Sequence, residues 1–393
     1  MIPLSRPKTI YDLITRPQPK QTPLRRYGPV LLAVAIPSAF LGLFRLACRD
    51  KALMNALIWQ VTTPVKHTVA RLCSFLPFSL AEVIWTVVVL ALLSFVLRSL
   101  WLVGRSLVYR LQGRNAHPLR RLLRRGLALL SALLIIYSGY TVTWGMNYYG
   151  DTFSQMSGLE GRKTTSQELY ALTAAFAGKC NELSDQVARD EAGLFVGSPD
   201  DRFDRSAGLY QCLYAQFPFL DLDEAQAKPM FYSRLMSWLG FTGFYFPFTG
   251  ESLVNVDAPA SLVPATILHE LAHQRNIAQE DECNFLAIIA GLQCDDVEFQ
   301  YSSALMGYIH LGNALYSADR DLWRTVYGSL NEAVRTDLSY NNTYWEQFES
   351  PASEAAEAVY SGFAESYGQK EIMKSYGACV DLLAAYYLPP IEE

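Results

Sequence analysis

The sequence predicts a mostly α-helical membrane protein with a small β-sheet: three N-terminal transmembrane helices followed by a larger extracytoplasmic domain. Three observations carry that prediction. Hydrophobic residues make up 51% of the 393 and charged residues only 18%, where ordinary soluble domains hold about 25% charged. The charge is also split along the chain. Residues 1–145 hold 19 Lys and Arg against 3 Asp and Glu, a balance of +16, while residues 146–393 hold 14 against 35, a balance of −21. Finally, three long apolar runs fall inside the first 146 residues, and helical patterns dominate the rest of the chain.

The first run is 28–48, "GPVLLAVAIPSAFLGLFRLAC", with one charge, Arg45, near its end. The second, 80–97, has one charge, Glu82, near its start, and the third, 127–146, has none. A helix rises about 1.5 Å per residue, so some 20 apolar residues cross ~30 Å of hydrocarbon. Each run is therefore a span, and Pro37 is tolerated in the first. Burial inside a soluble core is the bland alternative, but three such runs so close together would need a very large core.

Basic residues orient the spans. The tail 1–27 carries Arg6, Lys8, Arg16, Lys20, Arg25 and Arg26, and the loop 98–126 holds eight arginines and no acid. Both belong on the cytoplasmic side. The less basic 49–79 stretch then lies outside, and so does everything after the third span. The bilayer is the first partner the sequence implies. Nucleic acid is excluded for the outer domain, because a balance of −21 repels phosphate. The spans hold almost no ionisable residue deep in their apolar runs, which speaks against a transporter.

In the outer domain, 147–165 reads as a tether. Helices are expected over 166–188, 205–217 and 229–240. Residues 240–257, "GFTGFYFPFTGESLVNVD", are aromatic, β-branched and broken by Gly and Pro, so they read as strand, turn, strand. Helices follow over 260–275, 279–293, 298–316, 320–334, 340–364 and 370–386. Of seven cysteines, five lie in this domain without a CxxC pair. A Cys180–Cys212 bridge is open to an extracytoplasmic chain, and small buried apolar residues are the default reading.

The stretch that carries chemistry is 269–285, "HELAHQRNIAQEDECNF". On a helix, His269 and His273 are i and i+4 and stand on one face. Two imidazoles so placed can share one Zn2+ ion at ~2.0–2.1 Å. Glu270 lies beside them, where the H-E-x-x-H pattern puts a general base. A catalytic zinc site needs a third protein ligand and an open position. Asn276 tolerates the left-handed turn that ends helices, and a second helix from about Gln279 would fold back as a hairpin. Glu280 then faces the histidines. Asn284, one turn on, can hold the far nitrogen of a ligand histidine. Glu282 is the alternative third ligand, pointing elsewhere around the helix, and Asp281 is weaker still. The bland reading of these acids is a solvated helix start, since carboxylates favour the positive end of the helix dipole.

"HELAH" followed by "EDECNF" resembles the gluzincin branch of zinc peptidases, in which a Glu on a following helix is the third ligand. "PFTGESLVN", "HELAHQRNIAQEDECNF", the closing "SYGACVDLLAAYY" and the leading spans resemble more broadly a bacterial membrane family known as a domain of unknown function, number thirty-eight ten. The resemblance implies a zincin-like α+β metallopeptidase domain over 147–393, a single zinc ion and a peptide or protein substrate. Asn276 stands where glycine is expected, and the six residues between His273 and Glu280 are a short spacing for a gluzincin.

On that reading zinc polarises the scissile carbonyl and activates water, and Glu270 takes the proton. The strand within 246–256 can pair with an extended substrate. The oxyanion needs a donor, for which His310 and Tyr376 are the candidates. A lone histidine on a helix is more often structural. The alternative from another class is a non-catalytic zinc-binding membrane sensor or scaffold, against which the intact Glu270 argues.

Overall fold

The computed structural model describes residues 23–113, 118–198, 201–222, 225–367 and 376–389. The apolar runs form its longest helices among these residues: α1 (Pro23–Ala47), then, after α2 (Lys51–Leu57) and α3 (Thr63–Ser74), α4 (Leu80–Leu111) and α5 (Pro118–Thr143). Three segments, Gly28–Ala47, Leu80–Leu111 and Arg121–Thr143, are long and apolar enough to cross a membrane. Side chains such as Leu31, Ile36, Val87, Leu90 and Leu133 stand exposed along them. Such surface is unfavourable in water and at home in lipid.

Two expectations about this region change. Residues 98–111 are helix, not loop, because only Gly104 interrupts them and one glycine costs a helix about 1 kcal/mol. The turn comes at Gly113, whose φ of 69° suits a residue without a side chain. The stretch 49–79 is largely helical and folds onto the domain. Asp50 caps α2 by accepting from the Leu53 N–H at 3.0 Å, and a π-helical turn over Ile58–Thr62 joins α2 to α3.

The chain divides into two compact units. One comprises residues 1–45 and 96–138, and in it Arg125 Nε donates to Ser99 Oγ at 3.1 Å, linking α5 to α4. The other comprises residues 46–95 and 139–393. This second unit therefore takes in the last residues of α1 and α5 and the first half of α4 as well as the acidic part of the chain.

Within the second unit, α6 (Ser166–Ser184) begins with a capping box between Thr165 and Glu168. The helix expected over 205–217 is instead two single turns, Arg202–Arg205 and Gln211–Tyr214, parted by Gly208 at φ 81°. The sheet has three strands, one more than expected. β1 (Lys228–Pro229) runs parallel to β3 (Glu251–Val254), and β2 (Gly243–Phe246) pairs antiparallel with β3 on its other side, Gly243 opposite Val254 and Phe246 opposite Glu251. The helix expected over 229–240 shrinks to α7 (Ser233–Trp238). Two buried acids tie the sheet to α4. Glu251 accepts from the Leu80 and Ala81 N–H groups at 3.1 and 2.8 Å and from Lys228 Nζ at 2.9 Å. Glu82 accepts from the Phe231 and Tyr232 N–H groups at 3.0 and 2.8 Å.

Helices then succeed one another: α8 (Val263–Gln274), α9 (Glu280–Gln293), α10 (Val297–Ala318), α11 (Arg320–Ser329), α12 (Glu332–Glu346), α13 (Pro351–Ser366) and α14 (Tyr376–Tyr387). The run expected over 340–364 is broken before Pro351, which has no N–H to continue a helix. Asn331 starts α12 by accepting from the Val334 N–H at 3.0 Å. The core centres on α10, packed on α6, α8 and α9. Gly291 lets α9 and α10 meet closely, since a Cβ there would fall 1.9 Å from Ser303 Oγ. Cys180 and Cys212 are both free thiols, the first buried and the second exposed.

Candidate metal centre

Pro264 stands in the first turn of α8, where its missing N–H costs nothing. His269 and His273 lie one turn apart with ring centroids 5.0 Å apart and planes at 82°. The helix stops because Asn276 turns left-handed, with φ 67°. That corner is held from outside: Lys66 Nζ donates to Asn276 Oδ1 at 2.5 Å, and Asn276 Nδ2 donates to Thr63 Oγ1 at 2.8 Å. The chain re-enters helix at Glu280, the first residue of α9.

The hairpin brings His269, His273, Glu280 and Asn284 together. His269 Nδ1 lies 2.9 Å from Asn284 Oδ1, which can only accept, so this nitrogen carries the proton. His273 Nδ1 lies 2.8 Å from the Ile277 carbonyl, so it too is the N–H. The opposite nitrogens, both Nε2, face Glu280 Oε2, at 3.0 Å from His269 and 3.7 Å from His273. Against the pull of burial, Cys283 and Glu280 hold the His273 pKa well above its usual value, so without a metal its Nε2 carries a proton toward that carboxylate. Ligand atoms ~2.0–2.1 Å from a tetrahedral zinc stand about 3.3 Å apart, so these spacings fit one ion. Burial works to raise the Glu280 pKa, but His273 and His269 outweigh it and hold the carboxyl well below the usual range.

Cys283 is a further sulfur within reach. One ligand atom from each of His269, His273 and Cys283 lies within 4.8 Å of the others. Its Sγ, however, sits 3.3 Å from His273 Nδ1, the protonated side of the ring. Burial pushes the thiol up to about 12, so it remains S–H near neutral pH. Glu280 Oε2, by contrast, is the atom that the Nε2 of both histidines approach.

Glu270 points into the centre from the neighbouring position. It is 3% exposed, and its Oε2 has no hydrogen-bond partner among the described residues. Burial, aided by the Glu280 charge, pushes its carboxyl up to about 7 against the two histidines. An unpartnered buried carboxylate oxygen is rare in folded proteins and marks a place where a ligand or water belongs. β2 runs directly beside it: a Cβ on Gly243 would lie 2.7 Å from Glu270 Oε1.

The other candidates separate. Glu282 is turned away, its carboxylate accepting from the Phe153 and Ser154 N–H groups at 2.8 and 3.0 Å. It caps the short helix Phe153–Ser157 and does not join the histidines. His310 is half-buried on α10, close enough to His269 for their charges to oppose. Burial first, and that charge second, lower it to about 4, so its ring is neutral near pH 7. The side chain of Tyr376 lies outside the described residues.

Besides Gly243, three neighbours went unread in the sequence. Tyr360 of α13 donates its hydroxyl to Glu280 Oε1 at 2.5 Å. Trp144 lays its ring edge-on to His273, centroids 5.5 Å apart. Lys66 is buried, with its ammonium 5.0 Å from the Trp144 ring and 5.7 Å from the Tyr245 ring. Gly243 alone left a signal, since glycine inside a strand often marks a close backbone approach. Nothing local distinguishes Tyr360 or Lys66.

The fold and the site define a class first: a mostly helical membrane protein whose acidic unit gathers two histidines and two carboxylates at one helical hairpin. The sequence supplies the family. The profile described as Protein of unknown function (DUF3810) matches residues 60–384. That is most of the chain, so the protein belongs to this family. No curated protein and no solved structure matches it.

Proposed function

We propose that the protein is a membrane-anchored zinc metallopeptidase, its acidic unit on the extracytoplasmic side, with His269, His273 and Glu280 as metal ligands and Glu270 as general base. The observation that carries this reading is the convergence of both Nε2 atoms on Glu280 Oε2, with the opposite nitrogens committed to Asn284 and Ile277. A zinc ion, which His269, His273 and Glu280 would hold, would supply Lewis acidity for the scissile carbonyl and the attacking water. Glu270 accepts the proton of the attacking water at its unpartnered Oε2 and returns it to the leaving amine. Tyr360 orients Glu280 through its hydroxyl, and His310, neutral and near His269, is the candidate donor to a developing oxyanion. The strand within 246–256 expected to pair with substrate is β3, which is central and already paired with β1 and β2. β2, however, has no strand neighbour beyond β3 among the described residues, so its outer edge can receive an extended substrate backbone as an added strand.

The test uses the full chain purified in detergent, wild type beside Glu270→Gln. One zinc per chain in both, with cleavage of a peptide library lost in the variant by 100-fold or more, as is usual for a removed general base (~10²–10⁴), supports the reading. Absence of zinc in both overturns it. Zinc in both without cleavage by either leaves a binding site and removes the enzyme.

A further inference from the structure

The candidate centre begins where the third apolar helix ends. α5 closes at Thr143, and the next residue, Trp144, is the one whose ring meets His273 at 5.5 Å. The same ring rests on Tyr245 of β2 at 5.0 Å. Thr141, still inside α5, shares a 2.8 Å hydrogen bond with the Tyr367 hydroxyl. Tyr140 and Tyr148 both pack on Tyr367, at 5.5 and 5.6 Å. The apolar segment itself, Arg121–Thr143, has 23 residues. At about 1.5 Å each it crosses ~30 Å of hydrocarbon with less than one turn to spare. One indole therefore separates His273 from the end of a span, and the surrounding Tyr and Trp are the residue types that collect at membrane–water boundaries.

A second observation points to the same surface. Phe231, Leu235 and Trp238 are spaced four and three apart along α7 and its lead-in. Helix spacing sets only Leu235 and Trp238 on a common face, Phe231 lying in the turn that leads into α7. Leu235, Trp238 and Phe231 are 55%, 58% and 86% exposed. The start of this stripe is bonded to α4: the Phe231 and Tyr232 N–H groups donate to Glu82, and the Tyr232 and Thr86 hydroxyls lie 2.9 Å apart. Val83, Val87 and Leu90 of α4 are exposed too. The stripe thus continues the lipid-facing surface of a span, and that continuity identifies its occupant as the bilayer. In water such a contiguous apolar patch would be an aggregation liability.

We propose that Phe231, Leu235 and Trp238 lie in the bilayer interface and that the adjoining centre acts on membrane-anchored polypeptides, close to where the chain leaves the lipid. The second half rests on the metallopeptidase reading; the first does not. The outer edge of β2, with Tyr245 against Trp144, is the strand along which such a chain would run as it emerges.

Two measurements on the full chain in phosphatidylethanolamine–phosphatidylglycerol vesicles test this. A benzoylphenylalanine placed at Leu235 is irradiated and its adducts are weighed by mass spectrometry, with the same probe at Arg324, an exposed residue of α11, as control. A phospholipid adduct at 235 and none at 324 is expected. No lipid adduct at 235, or a cross-link to a second copy of the chain, overturns the interfacial placement. For the substrate, one labelled segment is offered free in solution and fused to a co-reconstituted apolar span. Sharing a bilayer raises effective concentration, so cleavage of the anchored form should be faster by about tenfold or more and should vanish in Glu270→Gln. Equal cleavage of both forms sinks the substrate class and spares the peptidase. A lipid adduct with neither form cut sinks the peptidase reading, and the substrate class with it, and spares the membrane contact.

Discussion

Cys283 Sγ lies 3.3 Å from His273 Nδ1, on the opposite side of the imidazole from Glu280, which faces Nε2. The two side chains therefore cannot both serve one ion through the same ring nitrogen. Cys283→Ser is expected to keep one zinc per chain, and Glu280→Gln to lose most of it. Metal analysis of the two purified variants decides between them, and the reverse pattern would mean a His–His–Cys trio.

Asn284 and Tyr360 hold the proposed ligands without touching a metal. Asn284 sets the His269 tautomer, and Tyr360 donates to the far oxygen of Glu280. Removing such a partner costs about 10–100-fold in metal affinity. Asn284→Ala and Tyr360→Phe should each weaken zinc binding by that order in competition with a chelator. Unchanged affinity in both would leave them as packing residues only.

Glu282 should behave differently from Glu280. Its carboxylate caps Phe153 and Ser154 and lies apart from the histidines. Glu282→Ala is expected to lower stability by about 1–3 kcal/mol, as lost caps and buried charged bonds do, with zinc stoichiometry intact. Loss of zinc without loss of stability would restore Glu282 as the ligand.

Gly243→Ala tests how closely β2 approaches the general base. A methyl there meets Glu270 Oε1 at 2.7 Å and the Leu253 carbonyl at 2.9 Å, so strand or carboxylate must move. Overpacking of this kind costs about 1–3 kcal/mol. Thermal unfolding should show that loss, together with reduced cleavage. A neutral result would mean the strand yields freely.

Lys66 gives a pH dependence. Burial lowers its pKa from 10.5 to about 7. Above pH 7 the folded chain has shed a proton that the unfolded chain keeps until 10.5, so this group's contribution to stability rises with pH across that window. Below pH 7 both states are protonated and the full penalty remains. At about 1.4 kcal/mol per pH unit the penalty is roughly 5 kcal/mol, less the ~0.5–2 returned by the Trp144 and Tyr245 rings and the ~1.5–3 returned by the hydrogen bond to Asn276. Lys66→Met should therefore melt at a higher temperature than wild type near pH 6 and lose that advantage near pH 10. A difference independent of pH would show that the ammonium is compensated by other contacts.

What could be read along the chain was local. Apolar runs of the required length announced three helices, and aromatic residues between glycines announced β2 and β3. The four-residue spacing put His269 and His273 on one face, and Asn276 marked the turn that the left-handed φ of 67° makes. Errors came where one residue outweighed a periodic pattern, as with Gly208 inside 205–217 and Pro351 inside 340–364.

By itself, then, the sequence determined the division into apolar helices and an acidic helical unit, and it placed the histidines, Glu270, Glu280 and Asn284 on a single hairpin. Only the tertiary structure decided what surrounds them. Tyr360 reaches Glu280 from 80 residues away and Lys66 reaches Asn276 from 210; Trp144 brings the end of a span against His273. The physical reason is range. Helix periodicity, capping and turn preference act over a few residues and leave a mark in the local sequence. A hydroxyl or an indole delivered by a distant element is chosen by packing and burial, which no neighbouring residue records.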